Sequence, residues 1–246
     1  MSKKNLFYLI FLLFLFYLAW RFTPIKEKPY QWWYDFSTKQ QPIQKRADID
    51  KILEQLVPIR YQDLPKEYLE TTLSNLPSFK KMLEKNTYYQ VKGDQLFLFV
   101  VGDFRIKHFL PRDDYYYDHL SSLGDDHVLN WLINKELLYE ILALQDALYD
   151  KGYNETGFEI VNGFRHPSYN AAVGGASKSR HVKGEAVDIS IGDINDDGWA
   201  TQEDKQIVLD ILEKEIIKDK GGIGRYPGTM SVHFDVRGYK ARWDQQ

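Results

Sequence analysis

The sequence predicts an α+β protein with a central antiparallel sheet and flanking helices. Three features predict it: one strongly amphipathic helix, short period-two apolar runs after it, and an earlier region mixing helical periodicity with a hairpin signal. In the helix, Asn134 takes the N-cap, Leu137, Leu138, Ile141, Leu142, Leu144 and Leu148 form one broad apolar face, and Gly152 marks the end. Residues 185–190 have the alternation and β-branching of a strand, residues 158–162 form another, and residues 232–236 share the period of two. Upstream, helical periodicity covers residues 47–57 and 67–85, the second disturbed by Pro77. Residues 88–91 and 95–101 flank Gly93-Asp94 as the arms of a hairpin.

The chain of 246 residues can form one moderate core and a smaller unit. It has no cysteine, which excludes a disulfide framework and thiolate catalysis. Its net charge is −3 with both signs mixed along the chain, which argues against a nucleic-acid-binding surface.

Lys3-Lys4 precede an apolar run over residues 6–20, and Arg21 follows it, the order of a secretory signal or membrane anchor. The run is shorter than the roughly 20 residues that normally span a bilayer. No small-x-small cleavage site follows, however, because Tyr17 stands two positions before Ala19. Residues 1–21 therefore read as an uncleaved anchor, with a cleaved signal peptide and a secreted chain as the alternative. Basic residues flank both ends, so the charge rule orients the segment weakly. Residues 22–45 read as a linker in which Trp32-Trp33-Tyr34 docks on the domain or sits at a membrane interface. Residues 46–133 form the helical and hairpin region, and residues 134–246 the principal domain.

The chemistry concentrates in that domain. His181, Asp188 and His233 offer two imidazoles and a carboxylate, a donor set suited to Zn²⁺, and three protein ligands leave a fourth position open. Gly184 lets the chain reverse between His181 and Asp188. Strand parity puts Ala186, Asp188 and Ser190 on one face, away from Glu185, Val187 and Ile189, and likewise points His233 and Asp235 together.

Four segments then occur in order: Asn162-Gly163-Phe164-Arg165-His166-Pro167-Ser168-Tyr169-Asn170, Val173-Gly174-Gly175-Ala176, the Ser-x-His-x-x-Gly-x-Ala-x-Asp run ending at Asp188, and Gly222-Ile223-Gly224-Arg225-Tyr226-Pro227. Together they resemble the M15 family of D-Ala-D-Ala metallopeptidases, over about residues 157–243. The resemblance implies the hedgehog/DD-peptidase fold and a zinc hydrolase of peptidoglycan peptides, either a D-Ala-D-Ala carboxypeptidase or a murein endopeptidase. It implies His181, Asp188 and His233 as zinc ligands and Arg165 at the substrate. That substrate favours a membrane-anchored domain facing the periplasm or cell exterior.

Better-known members of the family place an acid three positions before the last histidine ligand, and here that position is Met230. A thioether cannot accept a proton. Asp235 is the first candidate for general base, with orientation of a ligand imidazole as its rival role. Glu185 is disfavoured by parity unless a bulge intervenes, His166 is a further option, and Tyr226 is either a hydrogen-bond donor or a loop anchor. Met230 also supports a rival of another class, a non-catalytic metal-containing module that binds cell-wall peptides or a protein.

Asp193, Asn195, Asp197, Trp199 and Asp204 fall at the positions of an EF-hand loop, and the spacing resembles the calcium loop of dockerin modules. A Ca²⁺ clip inserted beside the zinc site is the expectation. The competing reading is a polar turn ending in a helix cap, because Thr201-x-x-Asp204 is also a capping box. Asp113, Asp114 and Tyr115 to Tyr117, with His119 and His127 nearby, match no metal spacing and read as an exposed loop.

Overall fold

The computed structural model describes residues 41–121 and 128–244. The anchor, most of the linker and Trp32-Trp33-Tyr34 lie outside these residues, as do the side chains of His119 and His127. Among the described residues no helix is long and apolar enough to cross a membrane.

Helical periodicity over residues 47–57 resolves into α1 (Arg46–Glu54) and then β1 (Val57–Arg60). Pro58 explains the early stop, since its ring favours an extended conformation at Val57 and it has no N–H for a helix. Pro77 likewise divides the next segment into α2 (Lys66–Thr71) and α3 (Pro77–Leu83), and takes the first helical position, where a missing N–H costs nothing.

The hairpin expected across Gly93-Asp94 does not form. β2 (Thr87–Lys92) pairs antiparallel with β1, while β3 (Phe99–Val101) pairs with β4 (Phe104–Arg105). A 3₁₀ turn over Gly93–Phe97 separates the two expected arms. In it Lys92 N donates to Gln95 Oε1 at 2.9 Å, and Leu96 and Phe97 are buried. After α4 (Asp114–Ser121), β5 (Val128–Trp131) covers the other side of β2.

Of the residues expected in an exposed loop, Asp114 to Tyr117 instead begin α4, with Asp114 and Tyr117 exposed, and Asp113 just before them turns inward. Asp113 Oδ2 lies 2.5 Å from Nδ1 of buried His166, and the rings of Tyr68, Tyr115 and Phe164 surround that imidazole edge-on. A carboxylate partner let the polar pair enter an aromatic cluster, which sequence spacing did not reveal.

α5 (Lys135–Asp150) matches its sequence signals, with Asn134 Oδ1 accepting from Glu136 N at 3.1 Å and the leucine face buried. It packs on α1, β3 and the turn Leu212–Ile216. The principal sheet follows. It contains β6 (Phe158–Asn162), β7 (Ala186–Ile191), β8 (Gly222–Arg225), β9 (Ser231–Asp235) and β10 (Ala241–Asp244), in the order β10-β8-β9-β7-β6. Neighbours are antiparallel except for β10 and β8, which run parallel at one edge. α6 (Pro167–Ala172) and α7 (Gln202–Ile211) lie in the connections around β7.

Period-two alternation gives this sheet two different faces. Val187, Ile189, Ile223, Val232 and Phe234 are buried on one, and Asp188, His233 and Asp235 project from the other. On that second face β8 contributes only glycines. A Cβ on Gly222 would fall 2.3 Å from Asp235 Oδ2, and one on Gly224 would fall 2.7 Å from the Trp243 ring.

The loop over residues 193–204 is closed by its last acid. Asp204 is fully buried and accepts from Ile194 N (2.9 Å), Asn195 N (3.0 Å), Thr201 N (2.7 Å) and Thr201 Oγ1 (2.8 Å). The next residue, buried Lys205, donates to Tyr226 O at 2.7 Å and Thr229 O at 2.8 Å. Burial pushes the Asp204 carboxyl up, but these donors outweigh it and hold the group below the usual carboxylate range. A depressed carboxyl stabilises the fold above its ordinary value of 3.8, and that contribution disappears as pH falls below it. Asp204→Asn should therefore lower the unfolding free energy by about 1–3 kcal/mol at neutral pH. In urea titrations across pH, the gap from wild type should narrow as pH falls below 3.8; a gap independent of pH would contradict this account.

Candidate metal centre

Three local features bring the site together. The register of β7 on β9 sets Asp188 directly opposite His233. A bulge between Ile160 and Asn162 then brings Asn162 opposite Asp188, with Asn162 Nδ2 3.4 Å from Asp188 Oδ2. His181 enters from a 3₁₀ turn over His181–Lys183 that ends at Gly184 in the left-handed conformation, φ +64°. A Cβ there would lie 2.2 Å from Leu132 O, so this glycine is required both by its φ and by the closeness of the neighbouring backbone.

The three side chains converge. His181 Nε2 is 3.1 Å from His233 Nδ1 and 3.1 Å from Asp188 Oδ1, and His233 Nδ1 is 2.8 Å from the same oxygen. All three residues are buried, and among the described residues no other group of three His, Asp or Glu side chains offers such a cluster. Ligands about 2.0–2.1 Å from a tetrahedral zinc stand roughly 3.3 Å apart, close to this spacing. The remaining ring nitrogens are already engaged. His181 Nδ1 meets Gly163 O at 2.7 Å and His233 Nε2 meets Asp235 Oδ2 at 3.2 Å, so donating there leaves His181 Nε2 and His233 Nδ1 as inward lone pairs. Two such lone pairs facing each other and a carboxylate fit a cation.

Each carboxylate has its own guanidinium. Arg165 Nη2 lies 2.5 Å from Asp188 Oδ2, and its Nε is buried without a partner. Arg237 grips Asp235 with Nε (2.7 Å) and Nη2 (2.5 Å), while Gly222 N adds a further hydrogen bond at 3.1 Å. Asp235 thus faces the side of His233 away from the inward nitrogen. Burial pushes both carboxyls up, but the histidines outweigh it and hold both well below the usual range, with Arg237 helping at Asp235. Burial lowers His181. It also opposes protonation of His233, but Asp188 and Asp235 outweigh it and raise that ring. A proton and a metal ion therefore compete for the same His233 nitrogen.

A cleft of about 800 Å³ opens over these residues. Arg165, Tyr226, Tyr239 and Trp243 border it with the three converging residues, and Asp188 is the only carboxylate among its lining residues. Of the other acid–base candidates, Glu185 pairs with Arg180 at 2.8 Å and Lys183 at 2.6 Å, and His166 pairs with Asp113 outside the lining. Met230 Sδ meets Gln202 Nε2 at 3.4 Å. In the 193–204 loop, Asp193, Asn195 and Asp197 accept from loop backbone N–H groups, and Asp204 caps α7. Trp199 stands exposed at its rim. The capping box that Thr201-x-x-Asp204 suggests is present.

Sequence reasoning missed Arg237, Tyr239 and Trp243. Arg237 was partly legible, since Asp235 and Arg237 are two residues apart and share strand parity. Trp243 reaches the site through the parallel β8–β10 pairing, with its ring 5.1 Å from that of His233, and no local pattern signals that.

A sequence profile of the family described as Peptidase M15 matches residues 140–235. Over these residues the chain is similar to the peptidase M15 family. M15 peptidases are metal-dependent, and the matched segment contains all three converging residues together with Arg165 and Asp235. No curated protein and no solved structure matches the chain significantly. The M15 segment stops short of Arg237, Tyr239 and Trp243, so the cleft extends beyond the matched residues.

Because Gly184 carries the turn that presents His181, Gly184→Ala should destabilise the protein by about 2 kcal/mol or more. Denaturant unfolding and competitive metal titration should both register the change. An unchanged midpoint would show that the turn tolerates a side chain.

Proposed function

We propose that this chain is a zinc-dependent hydrolase of peptide bonds in peptidoglycan, a D-Ala-D-Ala carboxypeptidase or a murein endopeptidase. The observation that carries the reading is the convergence of His181, Asp188 and His233 under an open cleft, within a segment of M15 type. A bound zinc would polarise the scissile carbonyl and supply water ionised near neutral pH.

The chain's own residues have distinct tasks. Arg165 orients Asp188 and offers its cationic edge to a peptide carboxylate or carbonyl in the cleft. Asp235 orients His233, held in turn by Arg237, and this position supports the imidazole-orienting role over that of general base. Asp204 straps the 193–204 loop to the start of α7. The apolar run over residues 6–20 supports a membrane anchor, and the proposed peptidoglycan substrate favours an outward-facing domain.

A non-catalytic wall-binding module is the second reading, favoured by Met230 at the expected base position and by a cleft whose only lining carboxylate is a proposed ligand. Incubating zinc-loaded protein with purified muropeptides and reading products by mass spectrometry separates the two. Cleaved product is expected, and His181→Ala and His233→Ala should lose both zinc and cleavage while keeping the fold. Binding without any product would establish the module instead. Asp235→Asn should weaken zinc affinity roughly 10–100-fold. Full zinc affinity with abolished turnover would return Asp235 to the role of base.

A further inference from the structure

We infer that the Tyr226 phenol donates a hydrogen bond to the peptide oxygen on which negative charge develops during hydrolysis, an assignment that rests on the peptidase reading above. Tyr226 lines the cleft with His181, Asp188 and His233, and its hydroxyl has no hydrogen-bond partner among the described residues. The other lining phenol, Tyr239, already meets Arg180 Nη2 at 3.0 Å. Tyr226 is therefore the phenol in the cleft that remains free to meet a ligand.

Its backbone is unusually well fixed for a loop residue. The Tyr226 carbonyl accepts from Lys205 Nζ at 2.7 Å, Thr229 Oγ1 at 2.9 Å and Thr229 N at 3.2 Å. Lys205 is itself 3% exposed, and it crosses from α7 to bind Thr229 O as well. Pro227 further restricts the residue on the backbone side. A donor held this way needs little reorganisation when charge appears, the condition under which such a contact favours a transition state over a ground state.

The protonation state fits the role. Burial, then the negative charge of Asp188, pushes the phenol up to about 12, with Arg165 opposing. Tyr226 thus remains a donor throughout the neutral range and does not act as a base. Met230 leaves the family's acidic position without a proton-active group, so electrostatic stabilisation from a fixed neutral donor takes on more of the catalytic task.

The test is Tyr226→Phe, which removes one oxygen and keeps the ring. Zinc content and thermal unfolding should match wild type. On a muropeptide ending in D-Ala-D-Ala, kcat should fall about 100-fold with KM little changed. Affinity for a phosphinate dipeptide analogue, measured by calorimetry, should fall by a similar factor, because its tetrahedral oxygens occupy the developing oxyanion's place. A variant whose kcat and phosphinate affinity stay within about threefold of wild type overturns the assignment. If wild type cleaves no muropeptide, the peptidase reading fails, and the phosphinate measurement alone decides Tyr226: weaker binding in the variant supports it, whereas equal binding or none to wild type overturns it.

Discussion

The register between β7 and β9 is the constraint on which the rest of the site depends. Asp188 faces His233 because Ala186 faces Asp235 and Ser190 faces Ser231. A slip of β7 by one residue would turn Asp188 into the apolar core, on the opposite face from His233, and leave Val187 in the cleft. The hydrophobic effect therefore sets the geometry of the site indirectly: burial of Val187, Ile189, Val232 and Phe234 on one face fixes which polar groups meet on the other. β8 reinforces the arrangement by offering glycines on the polar face, where any side chain would displace Asp235 or Trp243.

Putting two carboxylates under a sheet is costly unless each is compensated. Here the compensation is local and separate. Arg165 serves Asp188 and Arg237 serves Asp235, so the four charged groups sum to zero around two imidazoles. The ion-pair partners lie on the outer side of each carboxylate, which leaves Asp188 Oδ1 facing inward with the two ring nitrogens. An incoming divalent ion would then be the one uncompensated charge in the site, available to polarise whatever occupies its open position.

What was legible in the sequence follows from the range of the interactions involved. The amphipathic helix after Asn134, the αL turn at Gly184 and the shared parity of His233 and Asp235 are encoded within a few residues, and all are present in the structure. The hairpin around Gly93 was misread because the turn signal was genuine but led into a 3₁₀ turn, leaving partner choice to more distant strands. The pairing of Asp113 with His166 and the placement of Trp243 over His233 join residues from separate elements, and no periodicity reports such contacts. Asp204 shows a different limit. One carboxylate at one spacing suits both an ion and a cap, and only the four donors around it reveal the cap.

The region before residue 140 lies outside the M15 match, yet it is built into the metal centre. Phe109 O accepts from Phe164 N at 2.9 Å, and Gly163 packs so tightly on the Phe109 backbone that a Cβ would approach within 2.7 Å. Gly163 is the residue whose carbonyl orients His181. On the other side of that histidine, Leu132 O presses on Gly184, and Asn134 N donates to Gly184 O at 2.8 Å. Thr72 O accepts from Ser168 N, and Asp113 holds His166 one residue beyond Arg165. The segments that carry His181 and Arg165 are thus clamped by three stretches of chain that the family match does not cover. Such close backbone packing leaves little freedom for the three side chains to adjust, so the upstream region acts as a structural wall of the site and helps set how accurately they converge.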